Sequence, residues 1–161
     1  MTVVSTTQDP QALTLTVVAE LAAPPSRVWQ VWSDPRQLER WWGPPTWPAT
    51  FEEHCLVVGG VSAYYMTGPE GQKARGWWRF LAFEEPSWLE FEDGFSDESG
   101  VPNPDMPTTF AHVDFEQIPA GTRMTVASKF GSVEQMEQLV AMGLVEGLNQ
   151  AMNQIDAILA G

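Results

Sequence analysis

The chain has no proline after Pro119, and residues 132–159 within this stretch constrain the fold most strongly. They open with Ser132 followed three residues later by Gln135, a capping-box pattern in which the serine satisfies an otherwise unpaired helix N–H. Small and apolar residues then recur at steps of three and four, which places them on one helical face. They are Met136, Val140, Gly143, Gly147, Ala151, Ile155 and Ile158. We therefore predict one long C-terminal helix.

Two glycines on that face need an explanation, because a glycine inside a helix costs about 0.5–1 kcal/mol relative to alanine. Gly143, Gly147 and Ala151 are one turn apart and carry almost no side chain. Close packing of the helix backbone onto a sheet is one explanation. The other is that the missing side chains leave room for a ligand, and the helix sequence alone leaves both open.

Most of the preceding chain has the alternation of apolar and polar residues that is typical of half-buried strands. The predicted strands, separated by glycine- and proline-rich turns, are residues 12–21, 49–58, 61–67, 74–83, 88–95, 108–118 and 122–130. Successive hairpins give an antiparallel sheet, which can leave one face for a covering element. Only the C-terminal helix is long enough to cover it, so the prediction is an α+β fold with six or seven strands.

Two short helices are predicted after the first strand, since prolines at 24, 25 and 35 suit first helical turns. Residues 1–11 are polar and have no period, and we interpret them as a disordered tail. Residues 12–161 show no linker or internal repeat, which predicts a single domain of ordinary size.

The inner face of the predicted sheet is unusually aromatic, and the small residues of the helix lie opposite it. An apolar cavity is one interpretation, and a filled core is the other. The candidate ligand-binding residues are Trp41, Trp42, Ser62, Tyr64, Met66, Trp78, Phe80, Phe91, Val113, Phe115, Met124, Met136, Val140, Gly143 and Gly147. The group Trp29, Trp41, Trp42 and Trp47 could be core, cavity lid or interface.

Charge and composition exclude several classes of partner. The net charge of −13 argues against nucleic acid and anionic membranes, which both attract basic surfaces. No apolar run approaches the roughly 20 residues of a membrane span. The N-terminus lacks the pattern of a signal peptide, and the single cysteine, Cys55, fits a reducing compartment. We therefore expect a cytoplasmic protein.

Several motifs together carry a family resemblance over residues 13–160. They are residues 21–29 (LAAPPSRVW), Trp32, residues 34–35 (DP), Leu38, residues 41–44 (WWGP), 58–60 (VGG), 66–71 (MTGPEG), 76–78 (GWW), 121–123 (GTR), Gly143 and residues 146–148 (EGL). In this order they resemble the SRPBCC, or START-like, superfamily. More narrowly, they resemble bacterial domains similar to the activator of the ninety-kilodalton heat-shock protein's ATPase.

The resemblance implies the helix-grip fold, a curved antiparallel sheet around a long C-terminal helix. It also implies an apolar ligand between sheet and helix, although carriers, cyclases and chaperone partners share this fold. This chain departs at two places from the family that it resembles. Cys55 and Val57 stand where an acidic residue and an arginine are common, and Asp93 stands where a tryptophan is common after the Leu-x-Phe strand.

No catalytic or metal-binding set is evident in the sequence. His54 shares a strand face with Glu52 alone, whereas zinc needs three or four converging ligands. His112 and Asp114 could form an acid–base pair, but their alternation predicts an outward orientation. We expect no metal and no cofactor, and we lean against an enzyme.

Three functions remain open. The first is a small-molecule binding domain for an apolar or aromatic ligand. The second is a cyclase- or hydrolase-like enzyme in the same cavity, using Tyr64, Asp93 or His112 for proton transfer. The third is a chaperone ATPase cofactor, and a homodimer or chaperone partner would fit these alternatives.

Overall fold

One antiparallel sheet forms the frame of the protein in a computed structural model that describes residues 3–161. Its eight strands are β1 (Val3–Asp9), β2 (Thr14–Leu21), β3 (Ala49–His54), β4 (Val61–Thr67), β5 (Lys73–Glu84), β6 (Trp88–Phe95), β7 (Thr109–Ile118) and β8 (Gly121–Phe130). Their order is β1-β2-β8-β7-β6-β5-β4-β3. Successive hairpins join β3 to β8, and β2 closes the arrangement by pairing with β8.

Two short helices follow β2, as predicted: α1 (Pro25–Ser33) and α2 (Pro35–Leu38). Both begin at a proline, which has no N–H to lose in a first turn. Asp34 separates them, and its side chain accepts a hydrogen bond of 2.9 Å from the backbone N–H of Arg36. The α+β class and the arrangement of helices agree with the sequence-based prediction.

The predicted disordered tail at residues 1–11 differs from the structure, in which Val3–Asp9 form strand β1 on the sheet edge. Residues 1 and 2 lie outside the described residues. Only Val3 of this strand is buried, so the strand has no apolar alternation to reveal it. It is held by its backbone pairing with β2 and by Asn153, whose side-chain oxygen accepts from the Val3 N–H at 3.0 Å. The described sheet therefore has eight strands rather than six or seven.

The C-terminal helical region covers the sheet but is divided into three segments. They are α3 (Val133–Ala141), α4 (Leu144–Met152) and α5 (Ile155–Ala160). Ser132 caps α3 as predicted, accepting from the Gln135 N–H at 3.2 Å. Gly143 divides α3 from α4 with φ of 93°, a left-handed conformation that favours glycine. Gly143 is therefore a break in the helix rather than a small residue inside it.

The inner face of the sheet is the aromatic surface that the alternation predicts. Trp78, Phe80, Phe91, Val113 and Met124 are all buried. Trp78 stacks on Phe91 with ring centroids 4.3 Å apart, and Trp32 meets Trp41 edge-on at 4.8 Å. These rings fill the space between α1 and the sheet, so this half of the interior is a packed core. Within residues 3–161, no helix has the length and apolarity needed to cross a membrane.

Candidate functional site

An apolar cavity of about 260 Å³ lies between the sheet and the α3–α4 region. Strands β4, β6, β7 and β8 form its floor, and the residues around the α3–α4 break form its roof. Its lining residues are Trp42, Pro44, Met66, Phe91, Asp93, Phe95, Thr109, Ala111, Val126, Ser128, Leu139, Met142, Gly143, Leu144, Gly147 and Leu148. Asp93 is the one ionisable residue of this set. The cavity can therefore enclose an apolar molecule and offers it few polar contacts.

Gly147 keeps the roof of the cavity open. A Cβ added at Gly147 would have no heavy atom within 4 Å, and the same is true at Gly143. Ala151, one turn further along, is instead packed in the core and 1% exposed. Met142, at the helix break, is 56% exposed and forms part of the rim. Of the two explanations for the glycines, open space applies at Gly147.

The structure brings together part of the predicted ligand-binding set. Trp42, Met66, Phe91, Gly143 and Gly147 line the cavity. The others lie in or against the packed core: Trp41, Ser62, Tyr64, Trp78, Phe80, Val113, Phe115, Met124, Met136 and Val140. Trp29 and Trp41 are likewise buried core residues, whereas Trp47 is only partly buried. The sequence could not show this division, because alternation identifies an inner face but not which part of it another side chain fills.

Eleven lining residues were absent from the predicted set: Pro44, Asp93, Phe95, Thr109, Ala111, Val126, Ser128, Leu139, Met142, Leu144 and Leu148. Strand alternation contained a signal for some of them. Asp93 and Phe95 continue the period of two that begins at Leu89 and Phe91, and Thr109 and Ala111 continue the period of Val113. Met142 and Leu144 had no such signal, because the helix break brings them to the cavity.

Asp93 and Tyr64 form a polar pair beside the cavity. The Tyr64 hydroxyl points at Asp93 Oδ1 at 3.5 Å, a long hydrogen bond. Burial raises the pKa of the Asp93 carboxyl to about 7, and the hydrogen bond from Tyr64 offsets only part of that rise. Burial and the neighbouring Asp93 charge raise the pKa of Tyr64 well above its usual value of 10. Tyr64 is therefore a hydrogen-bond donor, and Asp93 is neutral below about pH 7.

His54 is a partly buried histidine at the end of β3, and both of its ring nitrogens are bonded within the fold. Its Nε2 lies 2.9 Å from the carbonyl oxygen of Trp32, and its Nδ1 lies 2.7 Å from the Ser62 hydroxyl oxygen. Because a carbonyl only accepts, Nε2 carries the proton, and the Ser62 hydroxyl donates to Nδ1. Burial lowers the pKa of His54 below its usual value of 6.5, although the contact with Trp32 raises it in part.

We expect His54→Ala to lower the free energy of unfolding by about 1–3 kcal/mol at pH 8, because it leaves buried polar groups unpaired. The pKa of His54 is lower in the folded protein than in the unfolded chain, so the neutral ring stabilises the fold when the pH is above the unfolded-state pKa. This stabilisation is lost as the pH falls through the folded-state pKa. The penalty should therefore be smaller at pH 5 than at pH 8. Urea denaturation of wild type and variant at the two pH values measures it.

His112 provides the matched control for that experiment. Burial lowers the pKa of His112, but hydrogen bonds with Glu90 and Asp114 outweigh this effect and raise it. Its contribution is therefore present at low pH and is lost as pH rises, opposite to that of His54. Equal pH dependence for His54→Ala and His112→Ala would contradict the assignment.

His112 cannot serve the cavity. It pairs in register with Glu90, and both face away from the inner surface that carries Phe91 and Val113. Its Nδ1 lies 2.8 Å from Glu90 Oε2, and its ring stacks on Trp88 at 5.8 Å. Within the described residues, no group of three or more His, Cys, Asp or Glu side chains could hold a metal ion.

The sequence of the chain also matches a known protein family. The model of the family described as Activator of Hsp90 ATPase homolog 1-like protein matches residues 22–160. No curated protein sequence matches the chain.

Solved structures include two similar proteins at high identity. One is an Arthrobacter aurescens protein with a solution structure, and its sequence is 56% identical to this chain. The match covers 99% of this chain and 92% of the Arthrobacter protein, with a TM-score of 0.95. The other is a Mycobacterium smegmatis protein with a crystal structure, and its sequence is 46% identical. The match covers 98% of this chain and 96% of the Mycobacterium protein, with a TM-score of 0.90. The crystal structure of the AHSA1 protein from Silicibacter pomeroyi matches 91% of this chain and 97% of its own chain, with a TM-score of 0.72. At 21% sequence identity, this match shows the shared fold alone.

Proposed function

The chain belongs to the family of Activator of Hsp90 ATPase homolog 1-like proteins, and from this premise we propose that it is a small-molecule binding domain. It holds an apolar or aromatic ligand between the inner face of the sheet and the α3–α4 region. Family membership supports a ligand-binding or cofactor-type domain in general. The cavity of about 260 Å³ beside Gly147 favours ligand binding and is the observation that carries the proposal.

The lining of the cavity supports an uncharged ligand. Aromatic and aliphatic side chains such as Trp42, Phe91 and Leu148 make up most of it, and it contains no Lys, Arg or His. An anionic group buried there would lack a paired cation and would be strongly disfavoured. The presence of Trp42 and Phe91 in the lining favours aromatic ligands, since aromatic pairs gain about 0.5–1.5 kcal/mol beyond area burial.

The same proposal places the protein in the cytoplasm, which its single cysteine and acidic composition support. An enzyme that uses His112 in the cavity is not supported, because His112 lies on the outer face. The family takes its name from an activator of a chaperone ATPase, and a chaperone partner or homodimer remains a prediction.

We expect apolar aromatic compounds to perturb two particular methionine methyl groups. Met66 and Met142 line the cavity, whereas Met152 is buried in the core and is not part of the lining. Titrating methyl-¹³C-methionine protein with a panel of substituted naphthalenes should shift the Met66 and Met142 signals progressively and to saturation. Met152 serves as the internal control.

Two outcomes would contradict the proposal. The first is a panel that leaves the Met66 and Met142 signals unchanged at the solubility limit of every compound. The second is a set of shifts spread evenly over all methionines, which indicates nonspecific association rather than a site.

A further inference from the structure

A cluster of polar groups borders the otherwise apolar cavity and is larger than the Asp93–Tyr64 pair alone. The indole N–H groups of Trp42 and Trp78 are buried, and among residues 3–161 neither has a hydrogen-bond partner. Both indole rings lie beside the phenol ring of Tyr64, with ring centroids 6.3 Å away for Trp42 and 6.1 Å away for Trp78. The Tyr64 hydroxyl in turn points at Asp93 Oδ1.

The sheet register assembles this cluster. Trp78 on β5 lies opposite Asp93 on β6, so both side chains occupy the inner face side by side. Tyr64 on β4 lies opposite Gly76 on β5, and a Cβ at Gly76 would clash with the Tyr64 hydroxyl. The absence of a side chain at Gly76 therefore lets the phenol reach Asp93. The position of the Asp93 carboxyl follows from three adjacent strands.

The hydrogen-bonding capacity of Asp93 is only partly used. Tyr64 donates to Oδ1, while within the described residues no partner is present for Oδ2. Burial keeps this carboxyl protonated below about pH 7, and a neutral carboxylic acid in an apolar site is a hydrogen-bond donor. Because Oδ1 accepts from Tyr64, the proton belongs on Oδ2. Asp93 also lines the cavity, so this donor is available to a bound molecule.

We propose that Asp93, positioned by Tyr64, binds a neutral carbonyl oxygen at one end of an otherwise apolar or aromatic ligand. The inference rests on the proposed function and names the chemical class of its ligand. Ketones, aldehydes and esters fit, because they accept a hydrogen bond without carrying charge. A carboxylate does not fit, since the cavity lining contains no cation.

The other elements around Asp93 bring no competing charge. The lining residues of β7 and β8 are Thr109, Ala111, Val126 and Ser128, and those of the α3–α4 region are apolar or glycine. Glu146 of α4 is exposed and is not part of the lining. In the part of the chain that the structure describes, Tyr64 from β4 is the remaining titratable group that faces Asp93. Titration of Asp93 itself should therefore control carbonyl binding.

An isosteric pair of probes tests the inference: 2-acetylnaphthalene, which has a carbonyl oxygen, and 2-isopropenylnaphthalene, which has a methylene group in its place. We expect the ketone to bind at least about tenfold more tightly at pH 6, the size of one well-made hydrogen bond. At pH 8.5 the ionised carboxylate repels the carbonyl oxygen, and the ketone should lose this advantage. Titration calorimetry measures both dissociation constants at each pH.

Two variants separate the Asp93 proton from the shape of the site. Asp93→Asn keeps an N–H donor at every pH, so the ketone should retain its advantage at both pH 6 and pH 8.5. Asp93→Leu keeps similar bulk without a donor, so the two probes should bind equally at both pH values. A merely structural effect of either variant would change the affinities for both probes alike. It would not remove the pH dependence of the difference between ketone and hydrocarbon.

Each contrary result has a distinct meaning. Equal binding of ketone and hydrocarbon by the wild type at pH 6 overturns the carbonyl site and leaves the apolar-ligand proposal standing. A ketone advantage that is the same at pH 6 and pH 8.5 overturns the role of the Asp93 proton. No binding of either probe at any pH overturns both the inference and the proposed function.

Discussion

Gly147→Leu should abolish binding of naphthalene-type ligands while leaving the protein as stable as the wild type or more so. The leucine side chain would extend into the cavity, because a Cβ at Gly147 meets no heavy atom within 4 Å. Replacing glycine inside α4 improves helix propensity by about 0.8–1 kcal/mol. Burial of a full leucine side chain adds up to about 1.5–3 kcal/mol. Against a filled core, the same change would overpack and cost about 1–3 kcal/mol, so the sign of the stability change is diagnostic.

We expect affinity for the naphthalene probes to fall by a factor of about 100 or more, since the leucine occupies the volume that the ligand needs. Calorimetric titration measures the affinity, and urea denaturation measures the stability. Gln150→Leu is the matched control, because it adds the same side chain at an exposed position of α4. A destabilised Gly147→Leu protein, or one that binds like the wild type, would contradict the cavity.

Gly143 should respond in the opposite way to a similar change, although it lines the same cavity. Its φ of 93° is disfavoured for residues with a Cβ by about 1–2 kcal/mol. Gly143→Ala should therefore be destabilising where Gly147→Ala is stabilising. This contrast separates the backbone requirement at the helix break from the open space inside α4.

Asp93→Asn should stabilise the protein above pH 7 and have little effect near pH 4. The pKa of Asp93 is raised from 3.8 to about 7 by burial. At 1.36 kcal/mol per pKa unit, ionisation of the buried carboxyl lowers the free energy of unfolding by up to about 4 kcal/mol. Asparagine resembles the protonated acid and does not ionise, so the variant avoids this penalty. Water entering the cavity reduces this penalty. We therefore expect Asp93→Asn to raise the free energy of unfolding by about 2–4 kcal/mol at pH 8.5.

The sign follows from proton linkage. Between pH 3.8 and about 7 the folded state binds more protons at Asp93 than the unfolded state, so stability from this group falls as pH rises. Urea denaturation of wild type and variant at pH 4, 6 and 8.5 gives the difference directly. Asp105→Asn is the control, because it removes an equivalent charge at an exposed position. An equal effect of Asp93→Asn at all three pH values would show that folding does not shift the pKa of Asp93.

Much of the fold could be predicted because its signals are local. Alternation along β4, β6 and β8 identifies the buried face without knowledge of the neighbouring strands, since successive side chains point to opposite faces. The Ser132 cap is equally local, because its hydrogen bond spans three residues. In contrast, β1 has an almost fully exposed pattern, and its backbone pairing with the distant strand β2 makes it a strand.

An antiparallel sheet with an aromatic inner face and a helical cover can be read from the residue pattern, because strand and helix periods are local properties of the chain. The position of the open part of the interior depends instead on long-range packing. Trp32 and Trp41 fill the part of the core beneath α1, and the break at Gly143 brings Met142 and Leu144 to the rim and roof of the cavity. Only the register of β4, β5 and β6 brings Tyr64 to Asp93, residues that are 29 positions apart. The volume of the cavity and the pKa of the Asp93 carboxyl both depend on neighbours that are distant in sequence, and tertiary packing brings those neighbours together.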